Sequence, residues 1–483
     1  MSRRKSAKGR ASNVQPQGKA VVSPQAAASM PSHEAAGTGR RLRGWIPGSS
    51  GPNRANHGAS VIRNRARDLG RNEWIGRGIP TRWSVNLVGT GILARPDVEE
   101  AATKALLGEL WDTWMEECDA DGVLDGYGQQ NSIAYNWIQS GEVFARLRPR
   151  RPEDGLSVPL QVQLLESDMV PMLDSTAPNG NEIRSGIEFN AIGQRVAYWM
   201  YRNHPGDGKG NTGDYVRVPA QFVIHVYEPT RPGQLRGVSD IAPIMTKLRS
   251  IANYDDAVLF RQEIANLFAG FIESAPSSDS KIDPLTGKAI TADGDGMPMV
   301  AMEPGTMQGL LPGEKVTFSD PPDSGANYSD FMRAQVQFAA AGAGLPYELL
   351  TGDIRDVSDR TLRVVITEFR RYVQQRQWLI LIPQWCRRIR RAWADAALLS
   401  GALNADQAKA ARRVTWQPQG WEYIHPVQDV QARKIAVESG FKSRSDVITE
   451  SGNDPETVDR TRAADRAREK ALELTAPPPE PPK

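Results

Sequence analysis

Cysteine is nearly absent: the chain has two, Cys118 and Cys386, in 483 residues. Their separation suits no clustered metal site, and so few thiols in so long a chain point to a reducing, intracellular setting. Histidine is scarce as well. The five residues His33, His57, His204, His225 and His425 never pair at metal-ligand spacing. His225 lies mid-strand in "FVIHVYEP", where a hydrogen-bonded structural histidine is the ordinary outcome. No apolar run approaches the roughly 18–20 residues that span a bilayer; the longest surrounds Trp378–Ile382. The basic N-terminus has no apolar stretch behind it, which excludes a secretory signal.

Catalytic signatures are missing too. "GDGKGNTGD" and "LTGKAIT" contain Gly-Lys pairs without the spacing that lets backbone amides surround phosphates. "RGVSDI" around Ser239 lacks the second glycine of a nucleophile elbow and reads as a capped helix start. "DADGVLDG", Asp119–Gly126, has the look of a calcium loop, but its twelfth position is Gln130 in place of glutamate, so a turn is expected. The chain therefore reads as a non-enzyme with no catalytic residue, no metal site and no cofactor. Carboxylates are plentiful, and a carboxylate-metal nuclease remains the alternative from the enzyme class.

What the chain does have is a split charge. Residues 1–82 carry 16 Lys/Arg against 3 Asp/Glu, and the remainder carries 43 against 54. A basic arm is attached to a mildly acidic body. Such an arm is either a solvated tail or a contact for nucleic acid or another acidic partner. The second reading gives a further alternative, a monomeric nucleic-acid-binding protein. Residues 1–41 lack apolar periodicity and are expected to be a disordered leader.

The periodicity gives the rest. Helical spacing over "ASVIRNRARDLGRNEWIGRGIPTRWSVNLVGTGI" puts Ile62, Ala66 and Leu69 on one face, with Pro80 interrupting and Gly89 and Gly91 at the end. A second helix, Asp97–Glu117, aligns Leu106, Leu110 and Trp114, and a third covers about Gln129–Ser140. From Glu142 the period becomes two. "EVFARLRP", "LQVQLLES", "IRSGIEFN", "VAYWMYR" and "FVIHVYEP" predict one antiparallel sheet of about five strands, with "NAIGQR" as a hairpin turn. Leu248–Glu273 predicts a helix of roughly 39 Å. Residues 274–325, rich in Gly, Pro, Asp and Ser with β-like "MPMV" and "KVTF", separate it from a returning helix, Tyr328–Gly342. Asp359–Ser400 is helical, broken at Pro383, with Trp385, Ile389 and Trp393 at i+4. After a β-like "RRVTWQPQGW", capped helices begin near Val427, at Ser443 and at Asp454-Pro455, the last reaching Leu474. "APPPEPPK" is a Pro-rich tail over 475–483.

Several of these strings together resemble the lambda-like portal proteins of tailed bacteriophages. "RARDLGRNEWIGRGIPTRWSVNLVGTGI", "SGEVFARLRPR", "VQLLESDMV", "IHVYEPTRPGQLRGVSDIAPIM", "AAGAGLPYELLTGDIRDVSDRTLR" and "ESGFKSRSDVITESGNDPETVDRTRAADR" carry the likeness, from about Leu42 to Leu474. Asp240 and the long Ala/Ser/Pro-rich leader depart from the pattern. The resemblance implies an α+β portal fold, with a mainly helical wing, stem and crown, an antiparallel sheet in the wing and a small α/β clip. The wing would be 42–247, the outgoing stem helix 248–273, the clip 274–325 and the returning stem helix 326–345. The tunnel loop would be 346–360, a kinked helix and wing–crown connection 361–426, and the crown 427–474.

It further implies a homo-oligomeric ring, typically of about twelve subunits, at one capsid vertex of a virion assembled in the host cytoplasm. Double-stranded DNA would pass through without sequence specificity, driven inward by the large terminase subunit and later ejected. The remaining implied partners are the major capsid and scaffold proteins and the head-completion or tail connector proteins; no membrane is involved. Under this reading Ala339, Ala340, Ala341 and Gly342 let neighbouring stem helices approach, and Pro346 and Gly352 end the helix. Gly352, Asp353, Arg355, Asp356, Asp359 and Arg360 would face DNA. Mixed charges suit sliding, because each neutralised phosphate adds about 0.9 to the salt slope of affinity and a basic clamp would hold. From the residues alone, Gly352–Asp359 reads first as an ordinary surface loop after a buried helix, and the resemblance reverses that order.

Overall fold

The computed structural model describes residues 58–207, 213–267, 328–355, 357–421 and 426–472, with Gly48, 50–53 and the strand segments 271–274 and 314–317. The expected leader 1–41, His33, His57, His425, the "MPMV" piece, most of 274–325 and the tail 475–483 lie outside the described residues.

Helices α1 (Ala59–Asn72) and α2 (Trp74–Leu87) come first. The break expected at Pro80 falls instead at Glu73, which is extended (φ −122°, ψ 127°), and Pro80 sits inside α2. Gly76 permits this sharp return: a Cβ there would stand 2.6 Å from the Leu69 carbonyl oxygen. Strand β1 (Leu93–Pro96), α3 (Ala101–Glu117) and α4 (Gly126–Ser140) follow. The buried face of α3 is Leu107, Trp111, Trp114 and Met115, one position round from the expected Leu106–Leu110 face. Trp111 and Trp114 pack ring to ring at 5.2 Å, and Trp111 meets Trp393 edge-on at 5.2 Å, so the indoles set the orientation.

Residues 142–227 form two antiparallel sheets where one was expected. Strands β2 (Glu142–Pro149) and β3 (Leu160–Leu165) begin the first. Strands β4 (Ser175–Thr176), β5 (Glu182–Arg184), β6 (Ile187–Phe189), β7 (Arg195–Tyr201) and β8 (Tyr215–Pro219) make the second, in that order. Then β9 (Val223–Tyr227) returns to the first and pairs with β2, Phe144 opposite His225. Two signals were missed: "IRSGIEFN" is itself a hairpin, turning at Ser185 (φ 51°) and Gly186 (φ 78°), and "YVRVP" is a strand. The expected turn at "NAIGQR" is present, with the Asn190 amide donating to the Gln194 carbonyl at 3.0 Å. The pleat of β2 divides the interior. Val143, Ala145 and Leu147 join the helices in the main core, while Phe144 faces a second core with Ile187, Tyr198, Met200 and Val218.

Helix α5 (Met245–Leu267) is shorter than expected, because Phe271–Ser274 is strand β10, paired antiparallel with β11 (Glu314–Thr317). Then come α6 (Tyr328–Gly342), α7 (Tyr347–Thr351) and α8 (Asp359–Arg376). Around Pro383 the helix does not break; Gln377–Cys386 is wound as a π-helix and runs into α9 (Arg387–Leu399). Proline lacks the amide an α-helical turn needs, and its ring crowds the carbonyl four residues back, so a wider turn accommodates it. After α10 (Ala405–Ala411), β12 (Val414–Gln417) pairs antiparallel with β1. The chain ends in α11 (Pro426–Glu438), α12 (Arg444–Glu450) and α13 (Pro455–Ala471). Trp83, Trp114, Trp137 and Trp393 are fully buried in the main core. No helix among the described residues is long and apolar enough to cross a membrane.

Candidate nucleic-acid interface

The small-residue end of α6 serves two directions. Ala339 and Ala340 are fully buried in the chain's own core, which accounts for their size without a neighbouring subunit. Ala341 and Gly342 are exposed, although a Cβ on Gly342 would come within 2.4 Å of the Ile244 side chain. Gly344 (φ 69°) stops the helix, a role expected of Pro346 and Gly352. The Leu345 amide returns to the Ala340 carbonyl (3.0 Å) and the Gly344 amide to Ala341 (3.1 Å). This double bond pattern needs the left-handed glycine. The Trp83 indole donates to the Ala343 carbonyl at 3.0 Å and fixes the stop against the core.

The segment beyond is only partly a loop. Pro346 precedes the short α7, and Gly352 (φ 76°) ends it. Ser358 caps α8 by accepting from the Thr361 amide (3.2 Å), so Asp359 and Arg360 stand exposed in that helix's first turn. Asp356 lies outside the described residues. That leaves Gly352, Asp353 and Arg355 in the loop proper.

Here the charges are tied to one another. The Arg355 guanidinium donates from Nε and Nη2 to the two Asp353 oxygens, both at 2.8 Å, and its amide donates to the same carboxylate at 3.1 Å. The Tyr347 hydroxyl donates to it at 3.0 Å. Together these hold the Asp353 carboxyl far below the usual carboxylate range, Arg355 contributing most. Arg333, on α6, completes the bracing. Its Nη2 donates to the Arg355 carbonyl at 2.8 Å, and its Nε lies 3.7 Å from Asp353. Sequence reasoning assigned no role to Arg333 or Tyr347; both lie more than one turn from the acid they hold. Asp353 and Arg355 thus form a charge-paired fork, and Arg355 is not a bare cation.

A second arrangement, deep in the body, explains two of the strings that carried the resemblance. Gly141 (φ 88°) and Gly237 cross backbone to backbone. A Cβ on Gly237 would lie 2.0 Å from the Gly141 carbonyl oxygen, and one on Gly141 would lie 2.2 Å from Val238. Next to this crossing, Glu142 accepts from Arg236 Nε at 2.8 and 2.9 Å, from the Gly237 amide at 2.9 Å and from Ser167. His225 Nε2 is 2.9 Å from Glu142, and its Nδ1 is 3.3 Å from Arg195 Nη1. Burial alone would raise the Glu142 pKa, but Arg236 and His225 outweigh it and hold the carboxyl well below normal. Burial lowers His225 to about 4. Histidine is therefore neutral near pH 7, its Nε2–H donating to Glu142 and its Nδ1 accepting from Arg195. Asp240, atypical for the pattern, finds its partner in Arg376 (2.6 Å), which also pairs with Glu228 (2.7 Å) and lies over Trp83 at 4.5 Å.

The other sequence candidates are structural in their contacts. Asp119 accepts from the Val123 and Leu124 amides (2.9 Å each) and from Gln129 (2.8 Å), so protein donors fill the calcium-like turn. Ser239 Oγ accepts from the Ile241 amide at 3.3 Å, as a helix start should. One group among the described residues gathers metal-type ligands: Glu166, Asp168 and His204. Arg67 reaches both of its carboxylates, Glu166 at 3.0 Å and Asp168 at 2.8 Å, and a guanidinium in that position repels a cation.

Known proteins resemble the chain along most of its length. The family model for phage portal proteins of the lambda family matches residues 38–377. A probable portal protein of Halomonas phage phiHAP-1 is 27% identical over 444 residues, 86% of this chain and 82% of that protein. The portal protein of Escherichia phage N15 is 21% identical over 490 residues, 91% and 90% of the two chains. Among solved structures, a chain from the neck of an empty gene transfer agent particle aligns with a TM-score of 0.46 and 14% identity, over 83% of this chain and 94% of that one. With a family model covering well over half of its residues, this chain belongs to the lambda family of phage portal proteins.

Proposed function

We propose that copies of this chain close into a ring at one capsid vertex, and that double-stranded DNA enters and leaves through its central channel. The observation that supports assembly most directly is on α5 and α6. Tyr254, Leu259 and Phe260 on one helix, and Phe331 and Phe338 on the other, are 41–64% exposed in the single chain. Large apolar side chains gathered on two adjoining helices ask for a protein partner, and another copy of the same pair supplies it in a closed ring. In this reading α5 and α6 are the stem, and the β10–β11 end is the clip where the large terminase subunit docks. Residues 59–244 form most of the wing, α11–α13 the crown, and head-completion proteins attach after packaging. In this reading the role is structural; among the described residues the nuclease alternative has the Glu166, Asp168 and His204 cluster, which Arg67 already claims.

Negative-stain microscopy of the purified chain tests the ring. Particles with a central hole are expected, and Phe260→Glu with Phe338→Glu should yield smaller species of unchanged helicity. A parent protein that stays monomeric at micromolar concentration would sink the reading. The Asp353–Arg355 fork gives a sharper test of the channel. Asp353→Asn weakens the hold on Arg355, so nuclease-protected DNA per capsid should fall at low salt and recover as salt screens the new phosphate contact. Equal packaging by variant and parent at both salt concentrations would place the loop away from DNA.

A further inference from the structure

Between α8, the π-helical turn, β12 and α11–α12 lies an open cleft of about 530 Å³. Trp378, Trp416 and Trp421 line it, with Arg370 over the Trp421 ring at 5.1 Å. Trp378 is 45% exposed, a large apolar surface for one indole to leave open. Gln417 forms part of the wall. It is 3% exposed, and its side-chain Nε2 has no hydrogen-bond acceptor among the described residues. An aromatic-lined groove with an unsatisfied amide donor calls for a ligand that is apolar in its side chains and rich in backbone carbonyls.

The chain carries such a ligand. Residues 475–483 read TAPPPEPPK. Proline has no amide hydrogen, so a polyproline II segment presents carbonyls with few competing donors, and its prolines pack on aromatic rings. We propose that the cleft is the receptor for this Pro-rich segment of the same chain, with prolines against Trp378 and Trp421 and a carbonyl accepting from Gln417.

Chain length permits it. Ser451, at the end of α12, packs its backbone against Gly420 beside the cleft and accepts from Arg433 on the cleft wall at 2.8 Å. Helix α13 begins four residues later, at Pro455. Its 17 residues carry the chain at most about 25 Å away. Residues 473–483 then supply about 34 Å of polyproline-like chain, enough to return. Arg370, Arg433, Asp429 and Glu450 line the cleft, and the segment carries Glu480 and Lys483. Docked in this way, the segment joins α11–α12 to the body across the cleft.

The test compares the full chain with a variant ending at Leu474, which keeps every described residue. A labelled TAPPPEPPK peptide should bind the shortened chain and bind the full chain much more weakly, because the chain's own segment competes. Trp378→Ala in the shortened chain should weaken the peptide about tenfold, the loss of one aromatic anchor. A peptide with every proline replaced by alanine should not bind. Amide exchange around Asp429–Arg433 should rise on shortening and fall when the peptide is added. Equal peptide binding by the two chains, or no binding to the shortened one, overturns the proposal. So does unchanged exchange, since a cleft still protected after shortening holds some other occupant, such as a second copy.

Discussion

The body, α1 through β12, and the C-terminal helices α11–α13 are held by different physics. The body buries four tryptophans completely, crosses two backbones at Gly141 and Gly237, and keeps Glu142, Arg236 and His225 from water. Helices α11, α12 and α13 contain no buried residue. They are defined by local devices. Gly440 (φ 75°) closes α11 with the Phe441 amide returning to Ala436 at 2.9 Å, Ser443 and Asp446 form a capping box, and Asp454 caps α13. Ion pairs such as Lys442–Glu450 and Arg444–Asp459 (2.6 Å each) are added on the surface. Desolvated contacts make the body cooperative, whereas exposed pairs contribute about 0–1 kcal/mol each and are screened by salt.

The contrast breaks most visibly at the buried carboxylate. Arg236→Ala removes the guanidinium that grips Glu142 in the interior and leaves Arg63 as the nearest cation, at 3.9 Å, which should cost about 3 kcal/mol. In thermal unfolding the midpoint should drop sharply, or soluble protein should be lost; a shift of a degree or two would mean that the cluster does not organise the body. Trp393→Ala should have a comparable effect, at about 3–5 kcal/mol for a large buried aromatic, and it would also unstack Arg390, 4.3 Å above that ring.

Acid should separate the two regions without any mutation. His225 titrates near 4 when folded and near 6.5 when unfolded, so the unfolded chain binds the proton first. Its neutral form stabilises the body fully above about pH 6.5, and that contribution is lost as pH falls towards 4. Glu142, also depressed, extends the loss to lower pH. Denaturant melts at closely spaced pH values should show this slope, and His225→Phe should flatten it while lowering stability at neutral pH.

The smallest effect belongs to the C-terminal helices. Ser443→Ala removes one cap, about 1 kcal/mol, and should quicken amide exchange in α12 while leaving the body's melting midpoint unchanged. A midpoint that moved as far as it does for a core variant would show the two regions to be one cooperative unit.

The same contrast governs what could be read in advance. The caps at Ser443 and Asp454 act within a few residues, and both were legible in the sequence. The sheets failed because β9 pairs with β2 across some eighty residues of chain, a partnership that no local period reports. At the candidate interface, Asp353 and Arg355 were legible as a charge alternation. Their mutual fork was not, since it depends on Arg333 and Tyr347 arriving from α6 and α7. Ala339 and Ala340 were read as contacts between neighbouring stem helices, because a small residue carries no mark of which partner it packs against.

One consequence of the π-helical turn remains. From Phe369 through Val373 to Trp385, Ile389, Trp393 and Ala397, the buried positions fall at multiples of four residues. An α-helix advances about 100° per residue, so a repeat of four precesses by about 40° each time and would carry Ala397 most of the way round the cylinder from Phe369. The ten residues Gln377–Cys386 are underwound, at about 80° per residue, and take back roughly half a turn. Helices α8 and α9 are thereby phased so that one stripe stays inward along both, and Pro383 acts as a phase corrector within a continuous rod.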